Sequence, residues 1–285
     1  MKQLLVLSGK GGTGKTTVAS AFIKLSSAKA YADCDVDAPN LHLIMNHDNP
    51  RITDYYGMNK AFIDTNKCVQ CDLCKQNCRF DAINLEEIYK VNNYDCEGCG
   101  LCEVICPAKA ISMIDFKAGD LMLYSIDRTV FSTAELQMGS GNSGMLVTEV
   151  KKQMRLNLSA ELAIIDGSPG IGCPVIASIS GVNLVVIVAE PSVSGISDMK
   201  RIIETSINFK TKLAVCVNKY DTNTVIAHKI EMYCAENDIN FIGKIPYDFN
   251  AVKAINNGYT IVDIDCAAGS AVRDIYKRAI DILND

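Results

Sequence analysis

QLLVLSGKGGTGKTT, Gln3 to Thr17, is the stretch whose reading decides the fold. Gln3 to Leu7 reads as a buried strand, Gly9 to Gly14 as a turn, and Lys15 to about Ser27 as a helix. Strand, glycine-rich turn and helix in that order make a P-loop. Its glycines let backbone N–H groups face a phosphate, beside a helix N-terminus that favours anions. Gly11, Gly12, Thr13, Gly14 and Thr17 form that cradle in this chain. Lys15 is expected to contact the β- and γ-phosphates of a nucleotide, and the Thr16 hydroxyl to ligate Mg2+. A chance glycine-rich turn would not require both flanking elements.

Working outward, Ala30 to Asp33 ends a second short strand in the acidic run DCDVD. Further apolar strands, Leu162–Asp166, Leu184–Ala189, Leu213–Asn218 and Phe241–Ile245, alternate with helical patterns. That alternation predicts an α/β fold with a doubly wound, mostly parallel sheet. Such sheets bind ligands at the C-terminal ends of their strands, where the P-loop, Asp33–Asp37 and Asp166 are expected to converge. Asp166 ends LAIID, is followed by GSPG, and suits the Mg2+ shell. Asp33 and Asp35 are candidates to orient Mg2+-bound waters or an attacking water. Taken singly, each aspartate is more often a cap or turn residue.

Residues 60–117 differ in character, and are expected to form a module inserted between the two parts of the main domain, 1–59 and 118–285. CVQCDLCKQNCRFDAI, starting at Cys68, returns 28 residues later as CEGCGLCEVICPAKAI, starting at Cys96. Each copy carries C-x2-C-x2-C-x3-C: Cys68, Cys71, Cys74, Cys78, then Cys96, Cys99, Cys102, Cys106 and Pro107. This is the spacing of a ferredoxin with two [4Fe–4S] clusters. Zinc knuckles would want four ligands per site and no x3-C-P tail. The ferredoxin resemblance implies crossed ligation: Cys68, Cys71, Cys74 and Cys106 on one cluster, Cys96, Cys99, Cys102 and Cys78 on the other. Arg79 stands where the second copy has proline. The chain runs into its first strand without a signal peptide. With eight of its thirteen cysteines at ligand spacing, reduced thiols and a cytoplasmic location are expected.

KGGTGKTT, with its extra Lys10, resembles the deviant Walker A motif of the MinD/ParA/nitrogenase iron protein superfamily. DCDVDAPNL (Asp33–Leu41) resembles that family's switch I, and IIDGSPGIGCP (Ile164–Pro174) its Walker B and switch II. VNKYD (Val217–Asp221) and IPYD (Ile245–Asp248) are similar to its adenine-side loops. CRFDAI and DCDVDAPN are typical of the members with an inserted ferredoxin domain. The resemblance covers essentially the whole chain; Ser168 departs from it, standing where many members have proline. It implies an ATPase acting as a homodimer or with a paralogue. Lys10 would reach the partner's ATP, Asp35 would orient the attacking water, and Asn218 would face the base beside Pro246 and Asp248. The implied cofactors are ATP, Mg2+ and two [4Fe–4S] clusters. The implied work is electron delivery to, or iron–sulfur or heterometal cluster assembly on, a redox or metallocluster-bearing partner. The alternative is MinD/ParA-like spatial positioning with structural or redox-sensing clusters.

A net charge of −5 and a pI of about 5.3 argue against nucleic acid as a partner. The longest apolar run, LVVIVA, is strand length, so no membrane partner is expected. His42, His47 and His228 are scattered, which argues against a histidine metal site. Cys34, Cys216, Cys234 and Cys266 read as core. Cys173, seven residues after Asp166, resembles the subunit-bridging cysteine of the nitrogenase iron protein, but SGNSG around Gly141 offers no second one. A buried, inert thiol is the commoner fate of a lone cysteine. Ala271–Leu283 is amphipathic, and its mixed charges favour a core-packing helix over a membrane-binding one.

Overall fold

A computed structural model describes residues 1–156 and 159–285, which divide into two compact units. The first comprises residues 1–52, 121–135 and 143–285. Its sheet runs in the order Asn240–Ile245, Lys212–Asn218, Leu184–Ala189, Lys2–Leu7, Leu162–Asp166, Ala30–Asp33, Thr129–Leu136, then residues 121–126 of the strand Lys117–Ile126. The first seven strands pair in parallel. They are continuous apolar runs because helices cover both faces of a parallel sheet; all six residues of Leu184–Ala189 are buried. Register then decides the chemistry. Val6 pairs with Asp166 and Asp166 with Asp33, so both carboxylates end level beside the turn that follows Leu7.

Lys117–Ile126 and Thr129–Leu136 form a hairpin that the apolar-run reading does not single out. Its two-residue turn, Asp127 and Arg128, is left-handed at both positions, with φ of 44° and 65°. A right-twisted hairpin demands that geometry, yet no glycine or asparagine signals it. The C-terminal helix spans Ala267–Asn284 and buries Ala268, Val272, Ile275, Ala279 and Leu283. Tyr276 meets Phe22 of the helix Lys15–Ser26 edge-on at 5.2 Å between ring centroids. This amphipathic helix is therefore a core helix.

The second unit comprises residues 53–120 and 136–142. Lys60–Ile63 pairs antiparallel with Ile111–Ile114, and Ile83–Leu85 with Tyr89–Val91. Short helices span Leu73–Gln76 and Leu101–Ile105. The sequence repeat recurs in the backbone. Gln70, Asp72 and Asp81 have φ of 53°, 64° and 51°; Gly98, Gly100 and Lys109, each 28 residues on, have 66°, 73° and 49°. The small core joins Ala61, Ile63, Ala82, Ile83, Tyr89 and Ile111 to inward-facing cysteines.

Candidate functional site

In the first unit the P-loop opens onto a cleft of about 820 Å³. Lys15 heads its helix and is nearly buried, and its Nζ lies 2.6 Å from Asp166 Oδ1. Burial alone would lower the lysine's pKa; the Asp166 and Asp33 carboxylates outweigh it, and the net shift is upward. Asp166 Oδ2 is buried without a hydrogen-bond partner, an acceptor left open beside a cation. Asp33 is fully buried and accepts three backbone N–H bonds at 3.0 Å, from Asp35, Asn40 and Leu41. It therefore moulds the loop after its own strand. Burial, then repulsion from Asp166, pushes its carboxyl up to about 7. Asp35 reaches the cleft and is partly buried; desolvation raises its pKa.

Gly14 has φ of 94°, and a Cβ there would sit 2.2 Å from Asn218 Nδ2, so only glycine fits. Asn218 Nδ2 donates to the Thr13 carbonyl at 2.7 Å, and its Oδ1 accepts from the Lys219 N–H at 2.9 Å. It thus braces the P-loop while lining the cleft. Pro246 and Asp248 line it too, and Asp248 caps the helix Phe249–Asn256 by accepting from the Asn250 N–H at 2.9 Å. Leu43, Ile44, Ala251, Val252 and Ile255 add an apolar wall. Lys10 forms an ion pair with Glu190. Ser168 donates its hydroxyl to the Cys34 carbonyl, and the Cys34 N–H donates to the Asp166 carbonyl at 2.7 Å, tying the loops after the two acidic strands together.

In the second unit, Cys68, Cys71, Cys74 and Cys106 line one small hollow, with Tyr89 and Ile111 in its wall. Cys78, Cys96, Cys99 and Cys102 line another, which Cys74 also touches, walled by Phe80, Val91 and Met113. The first hollow thus receives three thiols from the first copy of the repeat and one from the second, and the second hollow receives three from the second copy, with Cys78 and the edge of Cys74 from the first. The Ala110 N–H donates to Cys106 Sγ at 3.3 Å. All thirteen cysteines are free. Among the described residues, no three His, Cys, Asp or Glu side chains are grouped to hold a single metal ion.

The model of the CobQ/CobB/MinD/ParA nucleotide binding domain family matches residues 4–261. The chain belongs to this family. An uncharacterized Methanocaldococcus jannaschii protein is 30% identical over 97% of this chain and 95% of its own length. The Methanothermobacter marburgensis pyruvate synthase subunit PorD is 41% identical over 19% of this chain and 64% of its own. The Pyrococcus horikoshii iron–sulfur cluster carrier protein is 23% identical over 99% and 87%. The Pyrococcus horikoshii MinD structure with Mg-ADP aligns with a TM-score of 0.58 at 17% identity, over 97% of this chain and 95% of that one, and shows the shared fold.

Within this MinD/ParA-type domain, Lys15, Thr16, Asp35, Asn218, Pro246 and Asp248 line one cleft, with Asp33 and Asp166 beneath it. Glu190 and the apolar wall escape a sequence reading, because no local motif marks them. Cys34, Cys216, Cys234 and Cys266 are buried as expected; burial pushes the Cys34 thiol up to about 12. Cys173 is a correction. It is exposed, not buried, because it heads the helix Cys173–Ile179 straight after the Gly167–Gly172 loop.

Proposed function

We propose that this chain is a Mg-ATP-dependent, dimeric ATPase of the deviant Walker A type that couples nucleotide state to two [4Fe–4S] clusters. The clusters would sit in an inserted ferredoxin module at residues 60–117, between 1–59 and 118–285, and serve electron delivery to, or cluster assembly on, a partner protein. One observation carries the reading: a single chain holds both the lysine–aspartate cleft and two hollows that each gather at least four thiols, drawn from both copies of the repeat. The orphaned Asp166 Oδ2 beside a buried ammonium fits Mg2+. Four or more thiols around each hollow, without disulfides or, among the described residues, a single-ion grouping, fit polynuclear clusters. Relatives named an iron–sulfur cluster carrier and a pyruvate synthase subunit support the same direction.

The chain's own residues then divide the work. Lys15 would exchange Asp166 for the nucleotide's β- and γ-phosphates, and Thr16 and Asp166 would hold Mg2+, which would offset charge on those phosphates. Backbone N–H groups of Gly11 to Thr17 cradle the phosphates, and the apolar wall excludes water around the base. Asp35 orients the attacking water. Lys10 leaves Glu190 to meet charge developing on the partner's nucleotide. The Ser168–Cys34–Asp166 ties make the loops after Asp33 and Asp166 respond together. When bound, the clusters supply one-electron chemistry through the eight thiolates. A positioning role would want a membrane-binding helix, but the C-terminal helix is spent on the core. Among the described residues no helix is long and apolar enough to cross a membrane; reduced thiolates suit a cytoplasmic setting.

Anaerobically prepared protein should carry about eight irons and eight acid-labile sulfides per chain. Its ATP hydrolysis should vanish in Lys15→Ala. Stoichiometric zinc without sulfide, or undiminished hydrolysis in that variant, overturns the reading.

A further inference from the structure

Lys60 is a buried lysine in a place where lysines are rarely buried. Its side chain is 3% exposed, and among the described residues no carboxylate pairs with it. Its Nζ donates to the Cys96 carbonyl at 2.5 Å and lies 5.6 Å from the centroid of the Phe116 ring. Burying an ammonium group is costly unless an anion compensates. A carbonyl and a ring face compensate only in part.

The surrounding backbone shows that this placement is built. Met58 to Lys60 lies directly on the loop of the second cysteine motif. A Cβ on Gly98 would fall 2.4 Å from the Asn59 carbonyl oxygen and 3.3 Å from Met58 Cβ, and φ there is 66°. The equivalent residue of the first motif, Gln70, has φ of 53° yet carries an exposed side chain. Counting 28 residues on from Lys60 reaches Ile88, which is 38% exposed. The repeat is therefore broken at one point: the second motif is covered and given a buried cation, and the first is not.

We propose that Lys60 is the built-in counter-ion of the cluster held by Cys96, Cys99, Cys102 and Cys78, and makes that cluster the first of the two to be reduced. This rests on the two-cluster reading above. A four-thiolate [4Fe–4S] cluster gains one unit of negative charge on one-electron reduction. A neighbouring fixed cation stabilises the reduced form more than the oxidised form. A one-electron donor, dithionite or a reduced mediator in the test below, loses one electron and the cluster gains it, and no proton need follow, since the ammonium group already balances the charge. Other charges are mixed around both motifs: Asp95, Glu97 and Glu103 stand by the second with Arg79 beside its Cys78, and Lys67, Lys75 and the half-buried Asp72 by the first. Apart from Asp72 they are exposed and screened by water and salt. Lys60 acts through protein interior, where the same charge is worth several times more. An electron entering at either cluster would thus rest on the second.

The test is a mediated redox titration of the full-length, cluster-loaded protein, followed by electron paramagnetic resonance. Cys71→Ala and Cys99→Ala, each losing one cluster, assign the two signals. In the wild type the second-motif cluster should be reduced first. Lys60→Met should lower its potential and leave the first-motif potential in place, and Lys60→Arg should restore it. The first-motif cluster reducing first in the wild type overturns the proposal. So does Lys60→Met retaining its iron with both potentials unmoved. Protein lacking sulfide would instead remove the two-cluster reading, and this inference with it. Should Lys60→Met lose iron, the wild-type order and the arginine variant still decide.

Discussion

Replacing Lys15 by methionine separates the structural from the catalytic work of the P-loop lysine. Methionine keeps most of the apolar stem and removes the ammonium. Lys15 Nζ and Asp166 Oδ1 are 2.6 Å apart, with side-chain exposures of 6% and 0%. Asp166 Oδ2 has no partner, so nothing else on its side chain offsets the loss. Breaking a buried pair from one side costs about 3–5 kcal/mol. At roughly 2–4 °C per kcal/mol, the melting midpoint of nucleotide-free protein should fall by about 10 °C. Adding Asp166→Asn should return about 2 kcal/mol, since an unpaired buried amide costs less than an unpaired charge. Neither variant should bind Mg-ATP. Circular-dichroism melts and calorimetric titration with nucleotide measure the two effects. A Lys15→Met protein as stable as the wild type, or a double variant no more stable than the single, would refute the reasoning.

Lys10→Ala should keep ATP affinity but lower hydrolysis by roughly 10²–10³-fold, and Glu190→Gln, which frees Lys10 from its ion pair, should increase ATP-dependent dimerisation in light scattering. Gly100→Ala meets no atom within 4 Å but keeps φ of 73°, so it should cost about 1–2 kcal/mol. Gly98→Ala adds the collision with the Asn59 carbonyl, should cost roughly 1–3 kcal/mol more, and should reduce bound iron per chain. Lys151 donates to the carbonyls of Ala177, Ser178 and Ser180 at 3.1, 2.5 and 2.6 Å, and burial pulls its pKa down to about 8. The unfolded chain then binds the extra proton between about pH 8 and pH 10.4, so this group's contribution to stability rises with pH across that window, by up to about 3 kcal/mol. Subtracting the urea-unfolding profile of Lys151→Met should isolate that rise, and parallel profiles would contradict it.

What the sequence conveys depends on how local the signal is. Leu162–Asp166 and Leu184–Ala189 have the same bounds in the structure, because a two-sided buried strand must be apolar throughout. Leu213–Asn218 and Phe241–Ile245 each gain one residue, Lys212 and Asn240, whose polar side chains hid their backbone pairing. The hairpin around Asp127–Arg128 was illegible because its turn has left-handed residues of the wrong type. In the site, Lys15 and Thr16 announce themselves within eight residues. The Lys10–Glu190 pair and the wall joining Leu43 to Val252 exist only after folding has brought distant segments together. Lys60 carries no local signal of its burial; only the covering of the Gly98 loop by residues 58–60 shows where it goes.

The central claim is that nucleotide and cluster states are coupled, and it is tested most directly by measuring Mg-ATP affinity for the oxidised and the dithionite-reduced protein, using the Asp35→Ala variant, in which hydrolysis is expected to be lost. Coupling free energies of about 1–3 kcal/mol predict affinities that differ by roughly 5–150-fold, with cluster potentials shifted by the same free energy when Mg-ATP is added. Equal affinities and unmoved potentials would contradict the account, and would leave two independent sites on one chain.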